Sequence, residues 1–264
     1  MPRSGTTLLD QIIDAHPEAI GLQERADIQM LARLLSHRTG RPQENAIEAA
    51  DAGMLDDLAD RYLEMLDDFT ARRPTNDVTA PPRRLVNKAL ALDEHVGLVS
   101  RMLPGSRVIV IRRDPRDNLL SIFLNPILPE QHPWSTSLEG LVAARRRFDR
   151  LTVHWKDTLD LPILDVDYES LVSDPEAQIR RIIDFLDLPF HQNCLQSHRS
   201  GRAVTTPSWE QVARPINRDS ISAWPCPDCR QPPRRWFRSA RACCGCWALT
   251  PSALGIGVSF SSHS

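Results

Sequence analysis

Apolar positions fall at helical spacing early in the chain. Leu8, Leu9, Ile12 and Ile13 mark one face over 6–15, and Asp14-Ala15-His16-Pro17 ends that helix because proline cannot continue it. Ile28, Leu31, Leu34 and Leu35 predict a second helix over 25–37. Met54, Leu55, Leu58, Tyr62, Leu63, Leu66 and Phe69 predict a third over 54–71, with an acidic face that reads as solvated surface. Further helices are expected at about 90–103, stopped by Pro104-Gly105, and at 115–124, 137–157 and 174–187. Between them lie short strand candidates at 84–87, 107–111 and 162–166. The β-branched run at 107–111 is the best buried parallel strand. Strands alternating with helices predict an α/β fold of three layers, with a mainly parallel sheet of about five strands flanked by helices.

The pattern fails after Trp224. Residues 1–224 read as one domain, and 225–264 as an atypical tail without a period of 2 or 3.6. A length of 264 residues suits one α/β domain with a substantial core. The net charge of −2 supplies no global field for nucleic acid or an anionic membrane. No apolar stretch approaches the roughly 20 residues that span a bilayer, and no charged-then-apolar leader is present. Five of the six cysteines (Cys226, Cys229, Cys243, Cys244, Cys246) sit in the tail, leaving Cys194 in the body. The body therefore reads as a reduced, disulfide-free fold, and the expected location is cytoplasmic. The tail is expected to be an out-of-frame reading of a GC-rich gene. The rival is a zinc knot on Cys226-x-x-Cys229 and the later cysteines, which lack a clean second pair.

Two segments carry chemistry. In Arg3-Ser4-Gly5-Thr6-Thr7, glycine lets the backbone approach an anion, the hydroxyls donate, and Arg3 adds a fixed positive fork. The apolar run behind it places a helix N-terminus and its dipole at the ligand. The usual triphosphate loop is excluded, because the leading glycine and the Gly-Lys-Ser/Thr ending are absent. The second segment follows the strongest strand. Arg113 stands at the strand end and Ser121 two turns into the next helix, where open α/β sheets bind ligands. The alternative is that Arg112, Arg113 and Arg116 pair with Asp114 and Asp117 on a surface.

These two motifs, in this order, resemble the sulfotransferases that use 3′-phosphoadenosine 5′-phosphosulfate (PAPS). Asp14-Ala15-His16-Pro17-Glu18, Asn87-Lys88 and the segment 211–217 bring the likeness nearest to the bacterial and tyrosylprotein types. The resemblance covers 1 to about 224 and implies a P-loop-like fold and sulfuryl transfer to a hydroxyl acceptor: a small alcohol, a sugar or a protein tyrosine. It implies that Arg3, Ser4, Gly5, Thr6 and Thr7 hold the 5′-phosphosulfate, and that Arg113 and Ser121 hold the 3′-phosphate. It places Glu24 as catalytic base, Lys88 as a cation near the transferring group, and Tyr168 and Ser208 against the co-substrate. No metal is demanded.

Physical chemistry speaks to some of these roles separately. A compact ammonium suits charge on a bridging oxygen better than a planar guanidinium does. Lys88 is one of only 2 lysines beside 30 arginines. Glu24 is alternatively a first-turn acid favouring a helix dipole, and Tyr168 a plain core residue. His16 reads as a helix C-terminal cap, and His95 as packing or surface. The resemblance departs in two places: the strand that launches the loop is expected before Met1, and Ala223 stands where the family has a basic residue. The alternatives are an inactive remnant of such an enzyme and a nucleotide kinase.

Overall fold

The computed structural model describes residues 1–72, 82–125, 127–130, 132–199, 213–218 and 221. The chain opens on a loop whose Gly5, at φ 101°, turns directly into α1 (Thr6–Asp14). There follow β1 (Ala19–Gly21), α2 (Asp27–Thr39), α3 (Gln43–Ala46), α4 (Ala52–Ala71) and β2 (Arg84–Val86). After a 3-10 turn (Leu92–Glu94) come α5 (Val96–Met102), β3 (Val108–Arg112), α6 (Pro115–Leu124), α7 (Leu138–Thr158), β4 (Ile163–Asp167), α8 (Tyr168–Ser173) and α9 (Pro175–Phe185). Helix starts follow local chemistry. Asp114 and Asp174 each accept a backbone N–H at the head of α6 and α9, with proline at the first helical position. Asp51 caps α4 in the same way, its Oδ1 2.8 Å from the Met54 N, and Gly40 ends α2 in the left-handed conformation.

Among the described residues all strand pairing is parallel, as expected, but it forms two ribbons. β1 pairs β2 with Ile20 opposite Leu85, and β3 pairs β4 from Val108 opposite Ile163 to Arg112 opposite Asp167. Ile111 and Val166 bury against Ile12, Ile13, Leu171, Ile179, Ile182 and Ile183 from α1, α8 and α9. Full burial of each such isoleucine contributes about 1.5–3 kcal/mol, which outweighs any helix propensity in this layer. The next residue, Arg112, points the other way, its guanidinium 5.7 Å from the Phe148 ring on α7. Helices therefore cover both faces of this ribbon. A second core joins α2, α4 and α5 through Ile28, Leu31, Leu35, Leu58, Leu66, Leu98 and Met102. The β1–β2 ribbon lies between the two cores. Ala19 and Val86 pack into the first, and Ile20 and Leu85 into the second.

Three expectations shift. About five strands are predicted and four are found among the described residues, in two pairs rather than one sheet. The run at 107–111 is predicted to be the best buried strand, yet Val108, Ile109 and Val110 are half-buried while β1 is buried throughout. Their outer edge opens on a cavity of about 1170 Å³ that also receives β2. The helix expected from 90 begins only at Val96, because Ala91 takes φ 58° and starts a 3-10 turn. No described helix is long and apolar enough to cross a membrane. The predicted boundary at 224–225, with Ser208, Ala223 and the five tail cysteines, lies outside the described residues.

Candidate active site

The cradle forms where the opening loop crosses the ends of the strands. A Cβ on Gly5 would sit 2.4 Å from Tyr168 Cδ2 and 3.1 Å from Ile111 Cδ1, so the loop backbone lies directly on the tyrosine ring. Arg3 also takes a left-handed φ of 59°. Asn118 on α6 ties the loop down: its Nδ2 donates to the Pro2 carbonyl at 2.7 Å and to Ser4 Oγ at 3.2 Å. No side chain caps the N-terminus of α1, and its first turn holds no acid. Its backbone donors and positive dipole end therefore face the cradle.

Two arginines converge there. Arg113, just past β3, donates from Nη1 to the Arg3 carbonyl at 3.1 Å, and its guanidinium stacks 5.2 Å from the Tyr168 ring centroid. Arg3 Nε donates to Ser121 Oγ at 3.2 Å. Burial, and then the nearby Arg113 cation, push the Arg3 guanidinium below its ordinary pKa. Two cations held this close in a partly dry site raise the local potential and favour a polyvalent anion between them. The surface-pairing alternative holds for Arg116, which binds Asp114 at 3.0 Å, whereas Arg113 is buried against the loop. Burial alone would raise the Asp114 carboxyl; the Arg116 side-chain and backbone hydrogen bonds outweigh that and hold it low. Arg112 turns to Asp149 and Asp165.

Glu24 and Lys88 meet on the wall of the same cavity. Each follows one strand of the β1–β2 ribbon, at the carboxyl ends where α/β ligands sit. Lys88 Nζ lies 2.9 Å from Glu24 Oε1; the lysine side chain is 7% exposed and the glutamate 42%, so the ammonium is inside and the carboxylate at the mouth. The Lys88 N–H bonds the Gln23 carbonyl at 3.0 Å, and Asn87 Nδ2 bonds the Arg25 carbonyl at 3.1 Å, which fixes both loops. α2 begins at Asp27, so Glu24 stands outside its first turn and the dipole role falls to Asp27. The other lysine, Lys156, is bound to Asp165.

Of the predicted residues, Arg3, Gly5, Thr6, Thr7, Glu24, Lys88, Arg113 and Tyr168 line one cavity. Ser4, nearly fully buried, is committed to Asn118, and Ser121 stands behind Arg3. Tyr168 is core and site wall at once. Arg214 and Asn217 also line the cavity. Sequence reading missed Asn118, whose signal is a polar residue on the apolar face of a helix that follows the strongest strand. His16 is buried but does not cap α1. Its Nδ1 accepts the Glu18 N–H at 3.0 Å, which assigns the proton to Nε2, donating to the Pro189 carbonyl at 2.7 Å. Burial pushes the Cys194 thiol up to about 11, so it is inert packing. Among the described residues no group of three His, Cys, Asp or Glu is placed to hold a metal.

An α/β scaffold with a glycine loop at a bare helix end, two converging arginines and a carboxylate–ammonium pair belongs to the class that binds and transfers anionic groups. The chain is a member of the sulfotransferase family, which it matches over residues 1–192. It is 27% identical over 232 residues to an uncharacterized protein of Aquifex aeolicus (strain VF5), covering 85% of this chain and 29% of that one. It is 25% identical over 234 residues to protein-tyrosine sulfotransferase 1 of Danio rerio, covering 85% and 63%. The chain thus spans less than two thirds of the length of either relative. Its fold resembles the sulfotransferase domain of the Synechococcus PCC 7002 olefin synthase, with a TM-score of 0.56 at 19% identity over 84% of each chain.

Proposed function

We propose that this chain moves a sulfuryl group from PAPS to a hydroxyl acceptor. The observation that carries the reading is the Glu24–Lys88 pair opening onto the cavity that holds the Gly5 loop and both arginines. The donor fits the chemistry of the cradle. The loop turns at Gly5 directly into an α1 N-terminus that no side chain caps, which suits a phosphate, and the Arg3–Arg113 repulsion is relieved by an anion. PAPS supplies an activated sulfuryl group on a phosphate leaving group.

The residues of this chain do the rest. Arg3, Arg113 and the first N–H groups of α1 hold the phosphates in line with the mouth. Glu24 takes the acceptor's hydroxyl proton as the acceptor oxygen bonds to sulfur and the sulfur–oxygen bond to the 5′-phosphate breaks. The released electron pair stays on the phosphate oxygen, where the Lys88 ammonium stabilises it. A carboxylate base is better matched to a phenol, of pKa near 10, than to an aliphatic alcohol. Phenols and tyrosine peptides are therefore the first acceptors to try, then sugars and small alcohols.

The test is product formation from PAPS, read by mass spectrometry, with Glu24→Gln beside the parent chain. The variant should lose roughly 10²–10⁴-fold in rate while keeping its thermal stabilisation by adenosine 3′,5′-bisphosphate. No stabilisation of the parent by the bisphosphate, or equal rates for parent and variant, refutes the assignment.

A further inference from the structure

We infer that Arg145 and Glu169 are positioning residues for donor binding: they grip the Arg113–Asp114 peptide from both sides and so set where the Arg113 guanidinium points. The inference rests on the reading of the cradle as the donor site. The peptide unit is planar and trans, so the Arg113 carbonyl and the Asp114 N–H leave it in opposite directions. Each meets a charged side chain. Arg145 Nη1, from α7, donates to the Arg113 carbonyl at 3.3 Å. The Asp114 N–H donates to Glu169 Oε1, from α8, at 2.9 Å. A peptide held at both its donor and its acceptor resists rotation about the bonds that flank it, which fixes the direction in which the Arg113 side chain sets out.

Both grips are themselves anchored. Arg145 Nε donates to Asp149 Oδ2 at 2.9 Å, and Asp149 also takes Arg112 Nη1 at 2.7 Å. Arg112 reaches Asp165, which holds Lys156. This row of alternating charges ties α7, β3 and β4 to one carbonyl. On the other side, Glu169 directly follows Tyr168, whose ring centroid lies 5.2 Å from the Arg113 guanidinium. Neighbouring residues of α8 thus hold the two ends of Arg113, its backbone by a carboxylate and its tip by a ring. A small turn of the peptide is magnified along the arginine stem, whereas a binding group must stay within about 0.5 Å of its productive place. Simpler roles explain less. Asp114 and Glu169 are half-buried, so water can satisfy either group once the other is gone. Water cannot give the peptide a direction. Charge alone gives Glu169 the wrong sign, because a carboxylate beside an anion cradle repels the ligand.

The test is calorimetric titration of the full chain with adenosine 3′,5′-bisphosphate and, separately, with adenosine 5′-phosphate. Arg113 is the arm for the 3′-phosphate, so Glu169→Leu and Arg145→Met should each weaken the bisphosphate about tenfold and leave the monophosphate unchanged. Glu169→Gln keeps the acceptor oxygen and drops the charge, and should bind the bisphosphate at least as well as the parent. In an Arg113→Met chain, adding Glu169→Leu should cost no further bisphosphate affinity, because the carboxylate acts through Arg113. Arg145→Met carries the same comparison should Glu169→Leu not fold. Tighter bisphosphate binding by Glu169→Leu would make the carboxylate a plain charge. An unchanged ratio of the two affinities in a folded variant, or a loss in Glu169→Gln as large as in Glu169→Leu, would make the pair general supports of the fold. A further loss on the Arg113→Met background would mean that Glu169 acts elsewhere. Each of these results overturns the inference and leaves the donor reading standing, whereas a parent chain that does not bind the bisphosphate overturns both.

Discussion

Replacing Gly5 by alanine tests the cradle at its tightest point. Two costs add in the structure. At φ 101° an L side chain is strained, by about 1–3 kcal/mol. The new Cβ would also lie 2.4 Å from Tyr168 Cδ2, closer than real contacts allow, and pushing a buried ring aside costs about 1–3 kcal/mol more. Tyr168 cannot swing freely, because it packs on Ile111 and beneath Arg113. Urea unfolding should therefore show Gly5→Ala less stable by about 2–6 kcal/mol. A double-mutant cycle with Tyr168→Val separates the terms. Removing the ring should relieve the collision but not the backbone strain, giving a favourable coupling of about 1–3 kcal/mol. Strictly additive effects, within about 0.5 kcal/mol, would show that the loop does not rest on Tyr168.

Other outcomes follow from the same geometry. Arg113→Lys should weaken binding of adenosine 3′,5′-bisphosphate by roughly ten- to a hundredfold by calorimetry, because lysine loses the stack on Tyr168 and the fork that reaches the Arg3 carbonyl. Asn118→Leu should cost about 1–3 kcal/mol in urea unfolding, since the Pro2 carbonyl and Ser4 hydroxyl lose a buried donor. Burial lowers the His95 pKa from 6.5, so below pH 6.5 the unfolded chain binds the proton more readily than the folded one. Stability should rise with pH up to that value and fall as pH drops through the window beneath it; His95→Gln should flatten the slope in thermal melts across pH 5–7.

Much of this was legible in the sequence because it is local. Asp114-Pro115 announces α6 by capping chemistry alone, and the 3.6-residue spacing of Leu8, Leu9, Ile12 and Ile13 fixes α1. β1 escaped because three residues, Ala19, Ile20 and Gly21, are too few to show a period. α8 escaped because it starts on the residue after β4, so one apolar run serves two elements. The family resemblance implies separate phosphates for Arg3 and Arg113; only the tertiary fold brings Arg113 to the Arg3 carbonyl across 110 residues. The burial of Lys88, and Asn118's hold on the loop, are equally properties of packing.

The β1–β2 ribbon has a mechanical consequence. Ala19 and Val86 answer to one core, Ile20 and Leu85 to the other. Much of the cohesion between the two cores runs through alternate side chains of a ribbon three residues long. Such a narrow coupling limits how far the melting of one core drags the other with it. Heating should open the molecule in two overlapping steps rather than one. Trimming Ile20 to alanine should pull those steps apart in a calorimeter, whereas trimming Leu31, deep within the second core, should move only one of them.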